Sequence, residues 1–297
     1  MRPTLVLSKY YGGFGNRLFL YVHTLATAME YGFSMCNLTL HQTAHLFESL
    51  WSNSWCRYPA PRFGFPLHSW SRAARGWVEW LAHAQRGRPG RVPGLHTWWL
   101  DDGVDGSLSM ESSEFLSVCR QYRWINLQGW QFRAPRFVQK HRERIRNFMR
   151  FRRSQNPQLT SWLDESRAQK KTRVCLHIRM GDFRTWHGGR YFIDPGIYAS
   201  AAHRIAQTES GRNLEFWVCS DESVDLALFP AGTRTTPNRT LAEDFQLLTE
   251  ADFILGGIST FSRVAAFLGN AQFLIHDTND SIPELARWSA GSEAVAI

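Results

Sequence analysis

Hydrophobic and polar positions along this chain follow two patterns, one typical of short buried strands and one typical of helices. The apolar, β-prone run Thr4–Leu7 opens the sequence and predicts a buried strand. Apolar residues then recur at spacings of three and four, the period of one helix face; they are Leu18, Tyr21, Val22, Leu25, Ala26 and Met29. A strand followed directly by an amphipathic helix is the usual opening of an α/β unit.

The same alternation returns in the second half of the chain. Strands are predicted at 173–178, 214–219, 252–255 and 272–276, and helices near 195–208, 222–228, 242–250 and 261–268. This order favours a parallel sheet with helices on both faces. A length of 297 residues fits one long domain or two of ordinary size. Polar runs at 152–157 and 167–172 are candidate boundaries, and we predict domains at 1–160 and 161–297.

A polar cluster follows the predicted strand at 173–178. His177 and Arg179 lie two residues apart and share a face of that strand, and Asp182 follows in a loop. Ligands of α/β sheets bind at the carboxyl ends of strands, and a guanidinium there can bind a phosphate or carboxylate through two hydrogen bonds. A surface arginine paired with Asp182 is the competing interpretation.

Three other strand ends carry chemistry suited to anions or nucleotides. The glycine-rich turn before the first helix lets the backbone approach a ligand, although no complete dinucleotide or phosphate-loop fingerprint is present. Asp221 could accept a hydrogen bond from a ribose hydroxyl or cap the next helix. The turn before the helix at 261–268 could hold a phosphate or supply ordinary helix caps; its residues are Ser259, Thr260, Phe261 and Ser262.

In order and spacing, these motifs resemble those of the α-1,2-fucosyltransferases, part of a wider group with the α-1,6- and protein O-fucosyltransferases. The motifs are Gly12–Phe19, His177–Asp182, Ser220–Glu222, and Asp244–Leu248 running to Ser259–Ser262 with Ala265 and Ala266. They span about residue 5 to residue 277, while residues 40–165 match little.

The resemblance implies a GT-B architecture, with two Rossmann-like domains facing each other across a cleft. It also implies an inverting, metal-independent transfer of fucose from GDP-fucose. Arg179 matches the arginine that binds the donor β-phosphate, His177 and Asp244 match positions near the guanine and its ribose, and Ser259–Ser262 matches the turn around the diphosphate. Gly13, Gly15 and Asn16 match the glycine loop of the other domain.

One departure from the family concerns the linkage. The α-1,2 enzymes usually carry a second arginine where this chain has Met180. Related O-fucosyltransferases have an apolar residue there. Strand alternation predicts that Met180 points away from Arg179.

The mechanism implied by the resemblance requires the protein to stabilise the leaving diphosphate, to position the sugar and to take the proton of the acceptor hydroxyl. Arg179 and the turn Ser259–Ser262 would stabilise the leaving diphosphate, and Asn16 would help to position the sugar from the other domain. His187, in the loop after Arg179, titrates in the useful range and is our candidate general base. Asp182 is the alternative base, although its proximity to Arg179 suits an orienting role.

The net charge of +8 is unevenly distributed, because residues 1–150 hold 19 lysines and arginines against 9 acidic residues. The segment 139–150 predicts a basic helix, either solvated or in contact with a membrane surface. The tryptophans between Trp51 and Trp130 could stack on sugar rings or form core. We expect a GDP-sugar donor and a glycan or lipid-linked oligosaccharide acceptor.

Two other functions stay open. The chain could be a GT-B transferase that uses another nucleotide sugar. It could also be a non-enzymatic anion or nucleic-acid binder, as the basic half suggests. Its dispersed arginines and the lack of an RNA-reading signature argue against nucleic acid.

Composition and motif spacing indicate which cellular compartment and which cofactors to expect. The cysteines are odd in number and widely separated, which favours a reducing compartment. No metal-ligand spacing and no Asp-x-Asp triplet occur, so we predict neither a metal nor a cofactor beyond the donor substrate. No apolar run approaches the roughly 20 residues that span a bilayer, and the start of the sequence does not resemble a signal peptide. The expected location is the cytoplasm, with peripheral membrane contact through the basic half left open.

Overall fold

A computed structural model describes residues 2–53, 55–61, 68–86, 92–100, 106–153, 156–209, 212–276 and 289–290. The chain divides after Arg152 into two compact units. Residue 160, where we placed the domain boundary from the sequence, lies inside the first helix of the second unit.

The described part of the first unit contains a parallel sheet in the order β2-β1-β5-β3 and a small parallel pair, β4 with β6. The strands are β1 Thr4–Leu7, β2 Ser34–Asn37, β3 Leu95–Trp99, β4 Leu108–Ser109, β5 Trp124–Gln128 and β6 Phe132–Arg133. The helices are α1 Phe14–Tyr31, α2 His68–Gln85, α3 Ser113–Gln121, α4 Pro135–Lys140 and α5 Arg142–Phe148, with a 3₁₀ turn at Ala44–Leu46.

The helix predicted after the first strand is confirmed as α1. It begins after Gly13, whose backbone is extended, and ends at Gly32, whose φ of 66° is the left-handed conformation that glycine adopts without strain. Its apolar face is buried, with Leu18 and Tyr21 fully inaccessible to solvent.

The single basic helix predicted at 139–150 is wrong in form. Two short helices, α4 and α5, meet at His141, whose Nε2 lies 2.7 Å from Oε2 of Glu30 on α1. Ile145 and Met149 are fully buried. The segment therefore packs on the unit through its apolar side and exposes its arginines.

The described part of the second unit contains a sheet in the order β12-β11-β10-β7-β8-β9, parallel except for the pair β11 and β12. The strands are β7 Thr172–Ile178, β8 Leu214–Ser220, β9 Arg234–Thr235, β10 Phe253–Gly256, β11 Gln272–Ile275 and β12 Ser289–Ala290. The helices are α6 Pro157–Ala168, α7 Pro195–Thr208, α8 Leu241–Thr249 and α9 Thr260–Gly269, with 3₁₀ turns at Asp182–Arg184, Trp186–Gly189 and Leu226–Leu228.

All four strands predicted in this half are confirmed, as β7, β8, β10 and β11, and so are the helices now called α7, α8 and α9. The helix predicted near 222–228 is wrong, because only the 3₁₀ turn Leu226–Leu228 forms there. The Asp225 side chain accepts a hydrogen bond from the Ala227 amide and begins a new turn, so it competes with a continuous helix. Asp221 consequently caps no helix.

The interior of each unit is apolar, and the cysteines belong to it. All five cysteines are free and buried, and burial raises the pKa of the Cys36 and Cys119 thiols to about 12. They act as small hydrophobic side chains. Among the described helices, none is long and apolar enough to cross a membrane.

Candidate functional site

Arg179 lies directly after β7, the strand paired with both β10 and β8 in the sheet of the second unit. Its Nη2 lies 2.8 Å from Oδ1 of Asp182, and its Nη1 lies 3.0 Å from Oδ2 of Asp221. The side chain is 37% exposed. The guanidinium is therefore held by two carboxylates and still reaches solvent.

Asp221 has a positioning role that the sequence did not reveal. Its Oδ1 accepts a hydrogen bond of 2.9 Å from the Met180 amide, and its Oδ2 binds Arg179. A Cβ at Gly181 would lie 2.6 Å from Asp221 Oδ2, so a side chain at this position would displace the Asp221 carboxylate. Because Ile178 of β7 is paired with Ser220 of β8, the residues that follow these strands are neighbours.

Met180 turns away from this surface, as strand alternation predicts. The side chain is 2% exposed and belongs to the apolar core that also contains Ile193 and Tyr198. An arginine at this position would bring an unpaired charge into that core.

His177 contributes a buried aromatic ring beside the arginine. Its ring stacks on Phe261 with the centroids 5.4 Å apart and the planes at 26°, and Phe261 in turn contacts the edge of Phe245. Burial, followed by the charge of Arg179, lowers the pKa of His177 to about 4. The imidazole is therefore neutral at neutral pH, and its Nδ1 has no hydrogen-bond partner among the described residues.

The hydroxyl-rich turn lies at the start of α9, which follows β10. Ser259 is the N-cap and accepts a hydrogen bond from the Phe261 amide at 3.3 Å, while Ser262 Oγ donates to the Ser259 carbonyl at 3.2 Å. Gly256 is paired with His177 across β10 and β7, so Thr260 and its neighbours start from the same sheet edge as Arg179. Ser259 therefore serves as a helix cap, as one of the two interpretations of this turn predicts.

Asp244 lies in the first turn of α8. Its Oδ1 accepts a hydrogen bond of 2.6 Å from Thr236 Oγ1, and the Cys219 thiol lies 3.9 Å from its backbone carbonyl. Burial raises the pKa of the Asp244 carboxyl to about 6, although the Thr236 hydrogen bond opposes this rise.

His187 lies in the 3₁₀ turn Trp186–Gly189 with a positive φ of 49°. Its exposed ring contacts the edges of Trp186 and Tyr191, at centroid distances of 4.7 and 5.9 Å. Trp186 stacks on the buried Phe183, which anchors the turn. The described residues place no carboxylate against the His187 ring.

The glycine loop and Asn16 belong to the first unit. Gly12 has a φ of 59°, and a Cβ there would lie 2.2 Å from Asn16 Nδ2, so the half-buried Asn16 side chain lies against the Gly12 backbone. Gly13 is the exposed N-cap of α1, and Gly15 is buried in its first turn. Arg17 Nη1 donates to the Thr39 carbonyl at 2.7 Å.

The predicted residues thus form two groups. In the second unit, Asp182 and Asp221 meet at Arg179, and His177 meets Phe261 beside the turn of α9. The other group is the glycine loop with Asn16. Among the residues that the structure describes, no group of three or more histidine, cysteine, aspartate or glutamate side chains could hold a metal ion.

Comparison with protein families and with curated proteins gives no match. Several solved structures are similar to the chain. A substituted form of Arabidopsis thaliana FUT1 in complex with GDP is 12% identical, with a TM-score of 0.51, over 93% of this chain and 70% of that one. POFUT1 in complex with GDP-fucose is 11% identical, with a TM-score of 0.50, over 91% of this chain and 95% of that one. The fucosyltransferase NodZ from Bradyrhizobium is 14% identical, with a TM-score of 0.49, over 94% of this chain and 98% of that one.

At these identities, the FUT1 and POFUT1 structures establish a shared fold. The chain is an α/β protein with parallel sheets that match the GT-B fold of these proteins. The fold class predicted from the sequence motifs is confirmed.

Proposed function

We propose that this protein is an inverting, metal-independent glycosyltransferase that moves fucose from GDP-fucose to a hydroxyl of a glycan acceptor. The observation that carries the proposal is the position of Arg179. An accessible arginine, held by two carboxylates, stands at the carboxyl end of an inner strand. The fold is shared with a FUT1 structure bound to GDP and a POFUT1 structure bound to GDP-fucose.

The two carboxylates on Arg179 differ in a way that suits anion binding. The Asp182 side chain is 64% exposed, whereas the Asp221 side chain is 23% exposed and is also held by the Met180 amide. A β-phosphate would take the place of Asp182 while Asp221 keeps the guanidinium oriented.

The remaining donor contacts follow from the same sheet edge. We assign the neutral His177 ring and Asp244 to the guanosine, as the family resemblance implies. The amides at the start of α9 would face the diphosphate. Asp221, and the loop glycines Gly13 and Gly15 that the family resemblance implies, complete the proposed donor set.

Transfer requires one bond to form and one to break. A base, His187 or alternatively Asp182, takes the proton of the acceptor hydroxyl, and the hydroxyl oxygen attacks the anomeric carbon from the face opposite the diphosphate. The bond between that carbon and the β-phosphate oxygen breaks, and GDP leaves. Arg179 neutralises the charge that develops on the phosphate. Asn16 is our candidate for positioning the sugar.

The finer assignments are part of the proposal. We propose an α-1,2 linkage from the order of the motifs, a glycan or lipid-linked oligosaccharide acceptor, and a cytoplasmic location. At the position where the α-1,2 enzymes carry their second arginine, this chain has the buried Met180, so the absence of that arginine leaves no gap on the protein surface. NMR of the product tests both the linkage and the inversion.

A donor screen tests the proposal most directly. Hydrolysis of GDP-fucose, GDP-mannose, UDP-sugars and dTDP-sugars is compared, together with competition by free GDP, UDP and dTDP. We expect hydrolysis of GDP-fucose, inhibition by GDP, and a weakening of both by at least tenfold in Arg179→Ala. The exposed Arg204→Ala on α7 serves as a control that should behave as wild type.

Other outcomes of the screen identify the competing functions. Hydrolysis of another donor with competition by its nucleotide would indicate a GT-B transferase with a different substrate. Nucleotide-independent binding of anions, with no hydrolysis of any donor, would indicate a binding protein.

A further inference from the structure

The helix α2 in the first unit exposes two tryptophans one turn apart. Trp77 is 67% exposed and Trp80 is 62% exposed. Their rings contact each other edge to face, with the centroids 5.9 Å apart and the planes at 81°. Large aromatic side chains grouped on a surface mark an interaction site, because exposing them to water is unfavourable.

The opposite side of α2 fixes this orientation. Ala74 and Val78 pack against the apolar cluster of β1 and the β2 region, and Ala82 is fully buried. The Gln85 side chain donates to the Leu95 carbonyl at 2.9 Å. The helix therefore cannot rotate to bury its tryptophans without losing these contacts.

The exposed residues that the structure describes on α2, together with the residue that follows it, are apolar, small or cationic apart from one imidazole. They are Arg72, Ala73, Gly76, Trp77, Trp80, His83 and Arg86, which we call the α2 tryptophan face. The acidic residue of this helix, Glu79, is half-buried and ion-paired with Arg75 at 3.1 Å. Trp99 of β3 continues the face, since it contacts the edge of His83 and lies 5.0 Å from the Arg86 guanidinium.

We propose that the α2 tryptophan face docks on the surface of an anionic lipid bilayer. Tryptophan has an apolar body and a polar N–H, and it is enriched at the level of the lipid headgroups. Arg72 and Arg86 flank the pair and would contact lipid phosphates. The excess of positive charge in residues 1–150 adds attraction to an anionic surface.

Two other occupants fit this face less well. A glycan stacked on the tryptophans would also need hydrogen-bond acceptors for its hydroxyls, whereas the guanidinium and indole groups of the face only donate, and its described exposed side chains include no amide, hydroxyl or carboxylate. A second copy of the chain would bring arginines against arginines across a two-fold axis. The bilayer supplies both the apolar layer and the negative charge.

Flotation of the full-length protein with lipid vesicles tests the docking surface. We expect binding to phosphatidylcholine vesicles that contain phosphatidylglycerol, with a shift of tryptophan emission to shorter wavelength, and weaker binding in high salt. Replacing both Trp77 and Trp80 by Ala should lower the partition coefficient on the order of tenfold or more, because it removes most of the inserted apolar area. Arg72→Gln and Arg86→Gln should each lower it about fivefold.

Matched variants distinguish binding through this face from nonspecific membrane binding. Replacing the exposed Trp51 and Trp124 by Ala should leave vesicle binding unchanged. Replacing Arg142 and Arg144 of the basic helix α5 by Gln should lower binding less than Arg72→Gln or Arg86→Gln, because these arginines add only to the long-range attraction. Circular dichroism checks the fold of each variant. GDP affinity should stay unchanged in all of them, so the membrane result is independent of the proposed donor site.

Several results would overturn the proposal. They are an absence of vesicle binding by the wild type, binding that survives loss of both α2 tryptophans in a folded variant, and binding lost with the α5 arginines instead. Lipid-free glycan binding that depends on Trp77 and Trp80 would assign the face to a sugar. A change from dimer to monomer in the double variant would assign it to a second copy.

Discussion

At the scale of single residues, the proposed chemistry depends on how Arg179 is held. The guanidinium is only partly buried, so its direction is set by its partners. Asp221 is the firmer of the two, because its second oxygen accepts from the Met180 amide. A phosphate can displace an exposed carboxylate such as Asp182 at a lower cost in free energy than one that is locked in place.

The first prediction separates binding by Arg179 from positioning by Asp221. Arg179→Ala removes a charge-assisted contact of roughly 1.5–3 kcal/mol, so kcat/KM for the donor should fall at least tenfold. Asp221→Asn keeps the acceptor for the Met180 amide but loses the ion pair, and it should raise KM more than it lowers kcat. Steady-state kinetics measures both, and normal turnover of a folded Arg179→Ala protein would contradict the assignment.

The second prediction concerns the base. His187→Ala should lower kcat by roughly 10² or more with little change in GDP affinity. Steady-state kinetics and GDP binding measure the two quantities. Near-normal turnover of a folded His187→Ala protein, with loss of activity in Asp182→Asn, would move the role to Asp182.

The third prediction follows from the buried carboxyl of Asp244. Its pKa of about 6 in the folded state lies above the ordinary 3.8, so the folded state binds the proton more tightly than the unfolded state. Stability from this group is therefore fully present below about pH 3.8 and is lost as pH rises through about 6. Asp244→Asn should remove this loss. As the pH rises from acid to neutral, the free energy of unfolding of the variant should therefore increase by about 1–3 kcal/mol relative to that of the wild type.

Urea unfolding across this pH range measures the effect. The exposed Glu114→Gln on α3 is the control and should change the difference from wild type little across this pH range. A constant difference between Asp244→Asn and wild type at all pH values would show that the carboxyl is not perturbed by burial.

At the scale of elements, α8 and α9 approach each other at a glycine. A Cβ at Gly269, the last residue of α9, would lie 1.9 Å from the Thr249 carbonyl oxygen, which is backbone and cannot turn aside. Asn270 then ends the helix in the left-handed conformation.

The fourth prediction tests this packing with a pair of substitutions. Gly269→Ala should destabilise the protein by about 1–3 kcal/mol or more, because the helices must separate. Gly76→Ala, in the exposed interior of α2 with no atom within 4 Å of the added Cβ, should instead stabilise it by about 0.5–1 kcal/mol. Chemical denaturation measures both, and equal effects would show that the α8–α9 contact can relax.

At the scale of the whole molecule, negative charge on a bound diphosphate would be met by arginine and helix amides. The sequence has no Asp-x-Asp triplet that could hold a divalent ion beside the phosphates. The fifth prediction is that turnover survives EDTA. Loss of turnover that Mg²⁺ or Mn²⁺ restores would mean that the donor site has been assigned wrongly.

Most elements of the second unit could be predicted, because a buried strand or an amphipathic helix has a period that can be read locally. The helix expected near 222–228 fails for a local reason, since Asp225 begins its own turn. The basic helix at 139–150 is interrupted at His141, where Glu30 of α1 supplies a partner that lies 111 positions away in the chain. Local patterns do not contain such a partner.

The sequence by itself determined the α/β alternation, the burial of the cysteines in β7 and β8, and the motif residues at the strand ends. Only the tertiary structure decided which strand ends lie together. Parallel pairing of β7 with β8 and β10 brings Asp221 to Arg179 and Phe261 to His177, across sequence separations that no periodicity encodes. Hydrophobic periodicity can be recognised from the sequence alone. Hydrogen-bonded neighbours and pKa shifts arise only when the elements pack together, and the candidate site depends on these neighbours and shifts.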